Sequence, residues 1–252
     1  MGSKVLKVLS IDWDFFIKAT NSERCMLFPD GGREDLPKPI KNLIWQGLYG
    51  SNRKELESIG VVNLFKRFRF DIARSIRNYH PKKIVICESH KHIYKYIKDL
   101  MDTGKFLSID LLNVDFHHDC FTDKGEVDCG NWLYHVMNEY DGNYRWLSRK
   151  DSFISSEHPV GNLKRVKQYR SIQDEKYDLV YICRSDMWSP PHLDKSFYDL
   201  VSFIPFWDLD DSEVLLEDYI LEVRETRGKY SKFIEDYKNG LNSLNGVEVD
   251  FS

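Results

Sequence analysis

Long apolar runs are missing from this chain: no stretch approaches the roughly 20 consecutive apolar residues that a membrane span needs. It also lacks an excess of charge of one sign. Its 36 Lys and Arg face 40 Asp and Glu, for a formal net charge of −4, which removes any bulk electrostatic case for a nucleic-acid partner. Cysteine is scarce and poorly placed for cross-linking. Cys25, Cys87, Cys120, Cys129 and Cys183 are odd in number, widely spaced and form no C-x-x-C pair, so neither a disulfide framework nor a thiolate zinc site is suggested. No internal repeat or low-complexity tract marks a linker. Met1-Gly2-Ser3-Lys4 runs straight into a strand-like segment without a signal-peptide core, and Gly2 lacks the context for myristoylation, so the expectation is a cytoplasmic protein without membrane partners.

What is present is a set of short runs rich in β-branched residues, each ending abruptly in polar, chemically capable side chains. They are Lys4 to Ile11, Lys83 to Cys87, Phe106 to Val114 and Leu179 to Cys183. Between them lie segments with helical spacing, Val61 to Tyr79 and Ile93 to Met101, and the tail over about 212–252 reads as amphipathic helix. Alternating strands and helices predict an α/β fold, three-layer α/β/α with a mainly parallel sheet, formed by a single domain over 1–252. The segment from Cys25 to Pro39, with P-D-G-G and P-K-P, reads as a long loop of the kind that forms lids or substrate walls.

In a parallel sheet the ligand site lies beyond the carboxyl ends of the strands. The first run is followed by Asp12-Trp13-Asp14, the second by Glu88-Ser89-His90, the third by Asp115-Phe116-His117-His118-Asp119, and the fourth by Arg184-Ser185-Asp186-Met187-Trp188. Continued as extended chain, D-x-D and D-x-H-x-D put alternate side chains on one face. Asp12, Asp14, Asp115, His117 and Asp119, joined by His90, would then converge as four carboxylates and two imidazoles. Several carboxylates share a small space only if their pKa values rise or cations sit among them, and two divalent ions would neutralise four. Oxygen-rich ligation with a minority of nitrogen suits Mn²⁺ better than a structural zinc. Taken singly, the D-x-D reads equally well as caps or turn residues, and a lone His90 as a core residue.

These motifs resemble those of the arginase and histone-deacetylase superfamily. Asp115-Phe116-His117-His118-Asp119 is similar to its D-x-H-x-D, Ser10-Ile11-Asp12-Trp13-Asp14 to its S-x-D-x-D, and Ser89-His90 to the segment bearing its early histidine ligand. The D-x-D stands first here, whereas ordinary arginases place it after the D-x-H-x-D. That permuted order, with Gly130-Asn131-Trp132 and C-R-S-D-M-W-S-P-P from Cys183 to Pro191, resembles the peptide arginases of ribosomal peptide biosynthesis. The resemblance implies an arginase-like fold with permuted strand order and two Mn²⁺ ions held by Asp12, Asp14, His90, Asp115, His117 and Asp119. It implies hydrolysis of arginine side chains in a precursor peptide to ornithine and urea. Asp119 would also accept a hydrogen bond from the attacking water, Asn131 would orient it, and His135, from G-N-W-L-Y-H, is a candidate proton shuttle, although it reads as well as a plain helical histidine. For the guanidinium, Asp186 is the chosen acceptor, with Glu88 behind it; Asp186 reads equally as a turn cap. Trp188, Phe206 and Trp207 could line the peptide groove, or belong to the core. Three other readings compete. A haloacid-dehalogenase-type phosphatase would use Asp12 as nucleophile and Asp14 as acid, with Asp208-Leu209-Asp210-Asp211 supplying later carboxylates. A deacetylase of the same superfamily would use one zinc, and a non-catalytic metal- or peptide-binding module would keep the fold without turnover.

Overall fold

The N-terminal β-branched run becomes the central strand. In the computed structural model, which describes residues 4–29, 36–121, 125–152, 161–202 and 212–215, β1 (Val5–Asp12) pairs in parallel with β3 (Ser108–Val114) on one side and β6 (Leu179–Cys183) on the other. β4 (Gly142–Leu147) and β5 (Lys164–Val166) extend the sheet beyond β3, while β2 (Lys83–Cys87) and β7 (Ser212–Leu215) extend it beyond β6. The order β5-β4-β3-β1-β6-β2-β7, parallel throughout, means that the chain leaves β1 to one side, returns to its other side, and crosses back again. β1 therefore sits at the topological switch, where open α/β sheets carry their crevice.

The helices are α1 (Asn21–Leu27), α2 (Lys38–Glu57), α3 (Leu64–Tyr79), α4 (Ile93–Asp102), α5 (Trp132–Glu139) and α6 (Asp194–Ser202). Strand alternation sorts the core into two faces. Leu6 and Val8 of β1, with Val85, Leu111 and Tyr181, pack on Ile93, Ile97 and Met101 of α4 and on Trp132, Leu133 and Val136 of α5. Leu9 and Ile11 point the other way, toward the layer in which Trp13 stands edge-on to Phe65 of α3 at 5.1 Å and to Phe197 of α6 at 5.8 Å. With each buried Leu, Ile or Phe contributing roughly 1.5–3 kcal/mol, these two apolar faces hold the sheet and leave the strand ends free for polar chemistry. The arrangement is a three-layer α/β/α fold, and no helix among the described residues is long and apolar enough to cross a membrane.

Two expectations change. The stretch from Cys25 to Pro39 is not all loop. Thr20 caps α1 in a reciprocal box with Glu23, carrying the helix through Cys25, and α2 starts at Lys38 with Pro39 in its first turn, where a missing N–H costs nothing. At the other end Ser212–Leu215 is strand, not helix: it satisfies the outer edge of β2, pairing Ile84 with Ser212 and Cys87 with Leu215. The helical tail expected over 216–252 lies outside the described residues.

Candidate metal centre

On β1, Ser10 and Asp12 continue the face of Leu6 and Val8 past the end of the apolar run. The backbone then tightens instead of running on as strand. Asp12 Oδ1 accepts from the Asp14 amide at 2.9 Å and so caps a 3-10 turn over Trp13–Phe16. After β3, Asp115 Oδ1 likewise accepts from the His117 amide at 2.7 Å, and Asp119 takes a left-handed φ of 52°. The candidate ligands after β1 and β3 converge through turns capped by Asp12 and Asp115 and not by a period of two, because amides leaving the ladder need new acceptors. The capping and ligand readings of Asp12 are thus compatible.

His90 enters from the end of β2, fully within the molecule. Its Nδ1 lies 3.2 Å from Asp12 Oδ2, 3.3 Å from Asp115 Oδ2 and 3.1 Å from Asp119 Oδ2, yet it makes no hydrogen bond of good geometry to any of them. Its Nε2 is 2.6 Å from Ser10 Oγ. With the proton on Nε2 given to Ser10, the Nδ1 lone pair faces three carboxylate oxygens, an arrangement that a cation satisfies and a single N–H does not. His117 Nδ1 lies 3.1 Å from Asp14 Oδ2 and 3.9 Å from Asp115 Oδ1. Two groups result, Asp12 with His90 and Asp115, and Asp14 with Asp115 and His117; in each the ligand atoms lie within 4.8 Å of one another. Asp115 belongs to both, turning Oδ2 to His90 and Oδ1 to His117. The donors are oxygen and imidazole, so these residues could hold metal ions.

The electrostatics of the bare chain carry the same message. Burial, followed by the charges of Asp14 and Asp115, pushes Asp12 up to about 7, and burial with Asp119 and Asp14 nearby holds Asp115 well above the carboxylate range. Burial also works against Asp14, but the charges of His117 and Arg24 win and hold it at about 2. Burial disfavours imidazolium at both histidines, but His90 is raised by Asp115, Asp119 and Asp12, and His117 goes up to about 9 beside Asp14. Four carboxylates in one buried space coexist either by taking up protons, as the raised Asp12 and Asp115 do in the bare chain, or by sharing cations.

An open cleft of about 350 Å³ reaches the cluster, lined by Asp12, Asp119 and His117 with Arg24, Phe28, Phe121 and Trp188 among others. Trp188 is among the residues lining this cleft and lies against the His117 ring at 4.9 Å between centroids. Other expected site residues are engaged elsewhere. Asp186 is held by Lys41, whose Nζ donates to both carboxylate oxygens at 2.8 and 2.9 Å, so it is not open to a guanidinium. Glu88 pairs with Arg184 at 3.3 Å, outside the cleft lining. Asn131 spends its side chain on its own loop, accepting from the Asp128 amide at 2.8 Å and donating to the Glu126 carbonyl at 2.9 Å. The His135 ring packs against Tyr94 of α4 and Tyr134, not against any ligand of the cluster. Phe206, Trp207 and the Asp208 to Asp211 run lie outside the described residues.

Several contributors escaped the sequence. Arg24, from the short α1, reaches Asp14; Ser185 Oγ donates to Asp12 Oδ2 at 2.6 Å; Trp132 Nε1 donates to Asp119 Oδ2 at 2.6 Å. Ser185 and Trp132 stand in the C-R-S-D and G-N-W motifs, a signal without a role attached, whereas nothing local marked Arg24. No family model, curated protein or solved structure matches the chain, so the geometry and donor chemistry of the cluster carry the functional reading.

Proposed function

We propose that the chain is a manganese-dependent hydrolase of arginase-like fold, a cytoplasmic peptide arginase that converts arginine residues of a ribosomal precursor peptide to ornithine with release of urea. The observation that carries this is the sharing of Asp115: one carboxylate offers an oxygen to each of two Asp/His groups, the donor arrangement of a bridged pair of ions. Asp12, His90, Asp115 and Asp119 would hold one Mn²⁺, and Asp14, Asp115 and His117 the other. When bound, the pair supplies a water of lowered pKa and neutralises the carboxylates.

The chain's own groups do the rest. Asp119, fixed through its Oδ2 by the Trp132 indole, is oriented to accept a hydrogen bond from the attacking water. With Asp186 and Glu88 committed to Lys41 and Arg184, recognition of the guanidinium falls to the aromatic faces of Phe28, Phe121 and Trp188 in the cleft wall, since arginine stacks on such faces. Arg24, the one arginine or lysine among the described lining residues, is engaged with Asp14 and backbone carbonyls. A phosphatase built on Asp12 and Asp14 would leave His90, Asp115 and Asp119 without a task. The test is to incubate the Mn²⁺-loaded full chain with arginine-containing peptides and follow, by mass spectrometry and urea assay, the conversion of arginine to ornithine. Unchanged peptides across diverse sequences would sink the proposal.

A further inference from the structure

The two halves of the centre differ in charge. Around Asp12, His90 and Asp119 the close donors are neutral: Ser185 Oγ at 2.6 Å and the Asp14 amide at 2.9 Å on Asp12, Ser10 Oγ at 2.6 Å from His90, and the Trp132 indole at 2.6 Å on Asp119. Beside Asp14 stands a guanidinium. Arg24 is 2% exposed, and its Nη1 lies 3.3 Å from Asp14 Oδ2, the same oxygen that faces His117. Its Nη2 donates to the Asp14 carbonyl at 2.7 Å and the Ile17 carbonyl at 3.2 Å, its Nε to the Ala19 carbonyl at 3.4 Å, and its plane covers the Phe116 ring at 3.8 Å. Held on four oxygens and two aromatic rings, those of Phe116 and Phe28, this group cannot swing away when an ion arrives, and arginine does not shed its proton to make room. An ion at Asp14 therefore shares its carboxylate with a fixed positive charge at close range, in a site shielded from solvent, where such repulsion is least screened.

Building on the two-metal reading above, we propose that Arg24 sets the order in which the centre fills. The ion of Asp12, His90, Asp115 and Asp119 binds first and tightly; the ion of Asp14, Asp115 and His117 binds second and more weakly. Arg24 acts here as a positioning residue: it fixes the Asp14 to Ala19 turn and stands in for part of the second ion's charge while that site is unfilled, so that at limiting metal the chain is a one-ion species with its Asp14 side already ordered.

Titration of the metal-free full chain with Mn²⁺ alone, followed by calorimetry and by electron paramagnetic resonance, tests this. Expected are two binding steps separated by about tenfold or more in Kd, with an isolated-ion spectrum at one equivalent and a spin-coupled spectrum at two. Arg24→Gln should draw the second step toward the first. If that variant does not fold, two others decide: His117→Ala should remove only the weak step and His90→Ala the tight one. Two equal steps in the parent chain, an unchanged separation in folded Arg24→Gln, or loss of the tight step in His117→Ala would overturn the role of Arg24 while leaving two metals in place. Binding of a single ion at every concentration would overturn the two-metal reading and this inference together.

Discussion

Two buried polar clusters sit at the carboxyl ends of the same strands and are neutralised in opposite ways. Beyond β2 and β6, Glu88, Asp186 and Asp194 face Lys41, Arg184 and Lys38, with Lys41 on Asp186 at 2.8 Å, Arg184 on Asp194 at 2.5 Å and on Glu88 at 3.3 Å, and Lys38 within 3.9 Å of Glu88. Three carboxylates there face three long cationic side chains, with Arg184 shared between Asp194 and Glu88. Beyond β1 and β3, four carboxylates share two imidazoles and the single guanidinium of Arg24. The first cluster is balanced in charge and links α2 and α6 to the strand ends, whereas the second sets four carboxylates against one arginine and two histidines and could hold metal ions. A carboxylate at a strand end is thus scaffold where lysines and arginines match the carboxylates in number, and a candidate ligand where, as around Asp14 with its single Arg24, they do not.

Substituting one aspartate in each cluster should separate them most sharply. Asp115→Asn removes the carboxylate common to both ligand groups, so metal analysis should find neither ion retained. The metal-free variant should be no less stable than the metal-free parent, because one of four crowded carboxylates is gone. Asp186→Asn should do the reverse. It leaves the Lys41 ammonium buried without its charge partner, at a cost of about 3–5 kcal/mol in urea denaturation, while metal uptake persists. If Asp186→Asn lost its metal and kept its stability, the division between scaffold and site would be drawn in the wrong place.

How far the sequence revealed this division depended on how far apart the partners lie. β1, β2, β3 and β6 were legible because each is an apolar run long enough to declare itself, and the convergence of the candidate ligands because they follow such runs directly. β5 and β7, three and four residues long, take their form from a neighbouring edge and not from their own propensity. β4, G-N-Y-R-W-L, starts at a glycine whose Cβ would stand 2.5 Å from the Ile109 carbonyl, a constraint visible only once β3 is beside it. Likewise Asp186 looked available because Lys41 is 145 residues away in the chain, and Ser185 looked idle because Asp12 is 173 residues away. Pairing across such separations is a property of topology, and no local pattern announces it.

A smaller effect probes how the candidate metal cluster is held. Ser10 is the partner of His90 Nε2, so Ser10→Ala should loosen the imidazole that offers Nδ1 and weaken metal binding about 10–100-fold, in line with other partners of metal-bound histidines. A competition titration with a fluorescent chelator reads this directly. Ser10→Thr, which keeps the hydroxyl, should restore most of it; failure of Thr with an intact fold would mean that packing at the β1 end, and not the hydrogen bond, orients His90.

The smallest effect is expected at His135, which the sequence offered as a proton shuttle and the structure seats between Tyr94 and Tyr134. A ring in that position contributes packing between α4 and α5, and His135→Phe preserves a flat ring of similar size. Stability should change by no more than about 0.5 kcal/mol, and kcat for peptidyl arginine and its pH profile should be unaltered. A true proton shuttle would lose about 10²–10⁴-fold in kcat and one limb of the pH profile, a loss that altered packing alone does not produce in that form. A result of that size would place His135 with the residues that meet the substrate and would extend the candidate metal cluster along α5, whereas an unchanged profile confines it to the ends of β1, β2 and β3.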